Sequence, residues 1–166
     1  MSEAGASLTG RMVGAALLRN ETYDAVEADP SATGQAALVV VIVAVCAAIG
    51  AAGIGLATAI ASALAALVGW LIWAGITYVI GDKIFGGTAT WGELLRTLGF
   101  AQAPGVLYIL GVLPVIGALT SVVVSIWILI AGFIGIRQAL DIGNGKTFLT
   151  VLIGGLIYAV LQNVSL

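Results

Sequence analysis

The chain has 166 residues, of which 61% are hydrophobic and only 8% are charged, and its formal net charge is -2. Soluble domains contain about a quarter charged residues, and a soluble chain of this size could not bury so much apolar surface. With no histidine, one cysteine (Cys46) and no long basic stretch, the composition predicts a membrane protein without a metal site, cofactor, catalytic residue or nucleic-acid partner.

The first 30 residues predict a cytoplasmic arm that contains a short amphipathic helix within residues 7–28. Leu8 and Met12 share one face at helical spacing, and Arg11 lies away from that face. The sequence ETYDAVEAD that follows is acidic, which opposes binding to anionic lipid. Two alternatives therefore stay open for the arm: a helix on the inner leaflet, or a loosely ordered tail.

Long stretches without charge predict a bundle of five transmembrane helices over residues 31–166. A crossing needs about 20 residues, so the uncharged run between Asp29 and Asp82 is too long for one crossing and suits two. The predicted spans are residues 35–56 and 58–80, two spans within 97–136 that meet at a turn marked by Pro114, and residues 147–166. Small residues that recur at every fourth position, such as Gly117, Ser121 and Ser125, predict close packing of these helices.

The third span contains the sequence LGFAQAPGVLY, in which Gln102 and Pro104 interrupt an otherwise apolar run. Pro104 has no backbone N–H, so an α-helix would leave the Phe100 carbonyl unpaired, at a cost of several kcal/mol in lipid. The pattern predicts a third helix that is kinked or broken near Pro104. We expect Gln102 to bond to a neighbouring helix as structural glue, to line a path for a substrate or ion, or to lie at an interface with another subunit. The candidate partners of Gln102 are Ser121, Ser125 and Tyr78.

All six basic residues fall on one side of a five-span arrangement. The positive-inside rule places that side in the cytoplasm, with the N-terminus inside and the C-terminus outside. We expect the protein in the plasma membrane of a prokaryote. The six residues are Arg11, Arg19, Lys83, Arg96, Arg137 and Lys146.

Charged side chains at the span ends predict two ion pairs, Glu93 with Arg96 and Arg137 with Asp141. The sequence TWGE also predicts a capping box between Thr90 and Glu93. These pairs either anchor helix ends or form a polar surface that docks a partner. The candidate binding residues are Gln102, Pro104, Glu93, Arg96, Arg137 and Asp141.

Four segments together resemble the Yip family, the Ypt-interacting membrane proteins, and specifically its prokaryotic five-span branch. They are RMVGAALL, YDAVEADPSATGQA, TATWGELLRTLGFAQAPGVL and GIRQAL. The resemblance implies a cytoplasmic N-terminus and five spans. Eukaryotic members are linked to Rab-type GTPases, vesicle traffic and membrane shaping, and they assemble with one another. This chain lacks the longer N-terminal region that carries their acidic aromatic motif, which argues against GTPase binding.

Two functional hypotheses follow from these features. The first is a non-catalytic adaptor or membrane organiser, whose partners are the lipid bilayer and other membrane proteins or copies of this chain. The alternative is a small transporter, channel or lipid-moving protein that works through the helix break at Gln102 and Pro104.

Overall fold

A computed structural model describes residues 7–51 and 55–164, with the backbone alone at residues 114, 159 and 161–164. Within these residues all regular structure is helical and there is no strand. A π-helical segment (Val79–Ile84) extends α4, and a 3-10 segment (Ala103–Val112) extends α5. The α-helices are α1 (Leu8–Ala16), α2 (Asn20–Glu27), α3 (Ala32–Gly50), α4 (Leu56–Tyr78), α5 (Trp91–Ala101), α6 (Pro114–Leu140) and α7 (Asn144–Val164).

Four helical stretches in the described part of the chain are long and apolar enough to cross a membrane. Their outer faces carry many exposed large apolar side chains, as expected where lipid is the solvent. The prediction of an all-helical protein with membrane-type helices is therefore confirmed. The four stretches are Ala32–Gly50, Leu56–Ile84, Trp91–Val112 and Val115–Leu140. Helix α7 occupies the region of the fifth predicted span and is not among these four.

The third predicted span changes helix type at Gln102. Helix α5 ends at Ala101, and Pro104 lies in the first turn of the 3-10 segment. The backbone N–H groups at this junction reach the carbonyl oxygens of Gly99 and Phe100. The expectation that the Phe100 carbonyl is unpaired is wrong, because a 3-10 bond spans one residue fewer than an α-helical bond and does not use the missing proline N–H.

The arm before the first span forms two helices that pack against α5 and α6. Tyr23 and Val26 on α2 are fully buried, and the Tyr23 hydroxyl donates a hydrogen bond of 3.0 Å to the Ala15 carbonyl. Trp127 on α6 donates from Nε1 to the carbonyl of Ala16 at 2.8 Å. These contacts make α1 and α2 part of the core of the protein.

Arg11 does not point away from the packed face of α1, so that expectation is wrong. Its side chain is buried, with Nη2 2.6 Å from the carboxylate of Asp29 and Nη1 3.1 Å from Oε1 of Gln35. Leu8 and Met12 are partly buried against the core. The arginine can be buried because Asp29 and Gln35, near the start of α3, supply polar partners for its guanidinium.

Helix α3 crosses the third span at backbone distance. A Cβ atom added to Gly99 would lie 2.7 Å from the Cβ of Ala36, and one added to Gly50 would lie 1.9 Å from the Tyr108 carbonyl oxygen. Only glycine fits at both crossings. Glycines thus allow close packing between α3 and both parts of the third span. Of the predicted stripe Gly117, Ser121 and Ser125, Gly117 also approaches the third span, since a Cβ added there would lie 2.8 Å from Gly111 Cα.

Candidate functional site

A cavity of about 510 Å³ lies among the membrane-type helices. Its wall is mainly apolar and aromatic, and includes Trp70, Trp73, Tyr108 and Phe133. The volume falls in the range of roughly 300–1,000 Å³ that is typical of small-molecule sites. Among the lining residues that the structure describes there is no charged side chain.

The cavity lies at mid-depth in the bundle. Its wall takes Val43 from α3, Gly69 from α4, Gln102 from the third span, Ile128 from α6 and Gly155 from α7. Each of these positions is near the middle of its own helical stretch. If the stretches cross the membrane, the wall is therefore far from both polar interfaces.

Gln102 faces this cavity. It is partly exposed, and its carboxamide makes no hydrogen bond with the part of the chain that the structure describes. The predicted bonds to neighbouring helices are wrong, because the serines are already engaged. Ser125 Oγ lies 3.0 Å from the hydroxyl of Tyr108, and Ser121 donates to the carbonyl of Gly117 at 2.9 Å.

Two other polar groups of the wall, the Trp70 indole N–H and the Tyr108 hydroxyl, have hydrogen-bond partners. Trp70 donates from Nε1 to the Leu95 carbonyl at 3.0 Å. The rings of Trp73 and Tyr158 meet edge to face, with centroids 5.8 Å apart. Pro104 is buried behind the wall and does not line the cavity. The structure therefore brings Gln102 to the cavity and separates Pro104 from it.

A second region, here called the polar end, comprises residues 7–31, 79–97 and 137–147. Arg96 is buried there and donates from Nε to the carbonyls of Val26 at 2.9 Å and Glu27 at 3.0 Å. Its Nη2 also donates to the Glu27 carbonyl. A cation on the last carbonyls of a helix is favourable, so Arg96 fastens the C-terminus of α2 to α5.

The predicted ion pair between Glu93 and Arg96 is not formed. The Glu93 carboxylate accepts the Thr90 backbone N–H at 2.7 Å, and the Glu93 N–H donates to the Thr90 hydroxyl at 3.3 Å. The predicted capping box is therefore confirmed. The same local contact explains the missing pair, since the carboxylate turns back to the helix start and the guanidinium turns towards α2.

The predicted pair between Arg137 and Asp141 is also wrong. Helix α6 ends at Leu140, and Asp141 adopts a left-handed conformation with φ 51°, so an i,i+4 helical contact is lost. The Asp141 carboxylate accepts from the Thr88 hydroxyl at 3.1 Å. Arg137 instead donates to three side-chain amides, those of Gln138 at 3.2 Å, Asn144 at 3.4 Å and Asn20 at 3.5 Å.

Glu27 lies near three of the four charged candidates of the polar end, namely Glu93, Arg96 and Asp141, and it was not among the residues predicted from the sequence. Partial burial, and then the nearby charges of Glu93, Asp141 and Asp24, raise its pKa to about 7, whereas Arg96 opposes the shift. Tyr23 and Val26 at helical spacing were the available signal that this acidic helix is packed and not free.

The charged residues at the polar end form no metal site. Within the described ranges there is no group of three or more His, Cys, Asp or Glu side chains that could hold a metal ion. Asp29 is engaged by hydrogen bonds from Ser31 and Arg11, which lower its pKa to about 2. The polar end is therefore organised by hydrogen bonds to backbone and side chains.

Comparison with known proteins places the chain in a family. A family model described as the Yip1 domain matches residues 16–163. A search of curated proteins found no match, and a search of solved structures found none. The family match covers most of the chain, from the end of α1 through α7, and so includes both the cavity and the polar end. The chain belongs to the Yip1 domain family.

Proposed function

We propose that this Yip1 domain protein is a non-catalytic adaptor or membrane organiser that docks partners on its polar end. The observation that supports this best is the clamp that Arg96 makes on the last carbonyls of α2. The clamp joins the arm to the membrane helices and gives one ordered surface. Asp24 and Asp141 are exposed on that surface, and so are Arg19 and Lys146, so the surface presents charge of both signs. We propose that its exposed carboxylates receive a basic segment of another membrane protein.

The topology proposed for this function has five spans, with the polar end in the cytoplasm and the C-terminus outside. Helix α7 has 21 residues, about the length of one crossing, and packs on α4 and α6. Contacts between distant segments gather the cations at one end of the bundle. Lys146 donates to the Phe85 carbonyl at 2.9 Å, and Arg137 donates to Asn20. A prokaryotic plasma membrane and a bent third helix at Pro104 belong to the same proposal.

Site-specific photo-crosslinking in cells tests the adaptor function. A photoreactive amino acid at Asp24 or Asp141 is expected to give an adduct with another membrane protein. The same amino acid at Ile116, exposed at the other end of α6, is the control and should give only lipid or background adducts. Reversing charge at the docking surface with Glu21→Lys should weaken the adduct formed at Asp141. Recovery of only lipid and copies of this chain from the polar-end positions would contradict the adaptor function.

The unpartnered amide of Gln102 favours a second candidate, a small transporter, channel or lipid-moving protein. A carboxamide held at mid-depth in an apolar cavity is the kind of group that contacts a passing solute or lipid. Purified protein in vesicles should then carry ions, solutes or lipids faster than empty vesicles do. Gln102→Leu should abolish that flux and leave the fold intact. Flux equal to that of empty vesicles would reject this candidate.

A further inference from the structure

The cavity at Gln102 has the properties of a lipid-binding site. Its wall comes from five helical stretches at mid-depth, so the molecules that reach it come from the bilayer and not from water. The lining residues that the structure describes include no charged side chain, so burial of an anionic head group among them would be costly. An apolar chain with an uncharged head meets both conditions.

The carboxamide of Gln102 indicates which uncharged head group the bound lipid carries. In apolar surroundings an amide without a hydrogen bond is destabilising, so the carboxamide favours an occupant that can bond to it. No hydrogen bond joins the carboxamide to the described residues around it, and two nearby polar groups are engaged elsewhere: the Tyr108 hydroxyl with Ser125 and the Trp70 Nε1 with the Leu95 carbonyl. A carboxamide presents both a donor and an acceptor, and a hydroxyl group matches both at once.

We propose that the cavity binds an uncharged membrane lipid that carries a hydroxyl group, with the hydroxyl on the Gln102 carboxamide and the apolar chain along the aromatic wall. This inference rests on the cavity of the second candidate function and specifies what that cavity holds. The proposal requires only that the lipid binds in the cavity, and it does not require that the protein transports anything across the membrane.

The test uses hexadecanol with a photoreactive diazirine in its chain, in vesicles of phosphatidylethanolamine and phosphatidylglycerol that contain the full-length protein. Irradiation followed by peptide mass spectrometry should locate labels on wall residues such as Trp73 and Phe133. The matched probe is the methyl ether of the same alcohol, which cannot donate a hydrogen bond. We expect the ether to label the wall about three- to tenfold less, the value of one hydrogen bond.

Three variants separate cavity binding from general contact with lipid. Gln102→Leu should reduce labelling by the alcohol to the level of the ether. Gly132→Leu should abolish it, since Gly132 lines the cavity and its Cβ would have its nearest neighbour, Leu98, at 4.0 Å, so the new side chain fits by filling the space. Gly75→Leu is the control, because a Cβ there has no neighbour within 4 Å and the residue does not line the cavity.

Two results would overturn the proposal. One is equal labelling of the wild-type wall by the alcohol and the ether. The other is labelling that persists in Gly132→Leu at the level of Gly75→Leu, with both proteins folded by circular dichroism. Wall labelling without flux would support binding and count against transport, so failure of the binding site and failure of the second function are distinguishable.

Discussion

At the scale of single residues, Arg96 has the contacts of a structural anchor. Removal of its side chain leaves the last carbonyls of α2 without their donor and opens a hole at a buried position. We expect Arg96→Ala to lower the free energy of unfolding by about 3 kcal/mol. Thermal unfolding in detergent micelles measures the loss. Arg19→Ala, at an exposed arginine with no side-chain hydrogen bond in the described part of the chain, is the control and should change little.

Glu27 should make the stability of the arm depend on pH. Its folded-state pKa is raised from 4.5 to about 7, so its protonated form favours folding. Its contribution to stability is complete below pH 4.5 and is lost as the pH rises through about 7.

Glu27→Gln keeps this side chain uncharged at every pH. The variant should be more stable than the wild type at pH 8 by about 1 kcal/mol, once screening by solvent at this partly exposed carboxyl is allowed for, and equal to it near pH 4.5. Hydrogen exchange of the α2 amides at both pH values measures the effect, with Glu21→Gln as the exposed control on the same helix. A gain that is the same at both pH values would contradict the assignment to Glu27.

Local contacts between residues could be predicted from the sequence, and distant contacts could not. The capping box of Thr90 and Glu93 depends on neighbours three positions apart, so the letters TWGE were sufficient. The partners of Arg96 lie 69 and 70 positions away in the chain, so no local sequence pattern could predict them. Gln102 could be recognised as unusual, but its exposure to a cavity depends on four other helical stretches.

At the scale of helices, glycine at the crossing of α3 and α5 should be essential. A Cβ at Gly99 would come within 2.7 Å of Ala36 and 3.1 Å of its carbonyl oxygen, so the two helices would have to separate. We expect Gly99→Ala to lower the free energy of unfolding by about 1–2 kcal/mol, despite the better helix propensity of alanine.

The matched variant is Gly34→Ala on α3, where a Cβ has no neighbour within 4 Å. It should raise stability by up to about 1 kcal/mol through helix propensity alone. Thermal unfolding of the two variants in the same detergent compares them directly. If Gly99→Ala and Gly34→Ala changed the free energy of unfolding in the same direction, the claim that Gly99 is needed for the close approach of α3 to α5 would be contradicted.

Helix positions were largely predictable because charge is costly in lipid and marks where spans end. The uncharged runs correctly placed helices at α3, α4 and α6. Two details differ for physical reasons. The arm forms two helices because Leu18 adopts a positive φ of 59° and ends the first helix. Glycine usually occupies such a position, so the leucine gave no signal of the break in the sequence. The third span becomes a 3-10 helix at Gln102, which satisfies the carbonyls next to Pro104 without its N–H.

At the scale of the whole molecule, the arm and the bundle form one structure. The arm is short and acidic, features that on their own favour a solvated tail. The structure buries Tyr23 and Val26 instead and ties α1 to α6 through Trp127. The composition was sufficient to predict a helical protein whose solvent is lipid. The polar end and the cavity could not be predicted, because they result from contacts between segments that are far apart in the chain.

We propose that five spans hold the polar end in the cytoplasm and the C-terminus outside. The most direct test places single cysteines in a Cys46→Ala background, one as Gly145→Cys and one as Leu166→Cys, and labels them in intact cells with a membrane-impermeant maleimide. With this topology, Leu166→Cys reacts in intact cells and Gly145→Cys reacts only after the membrane is opened. Reaction of both positions from the same side would contradict it.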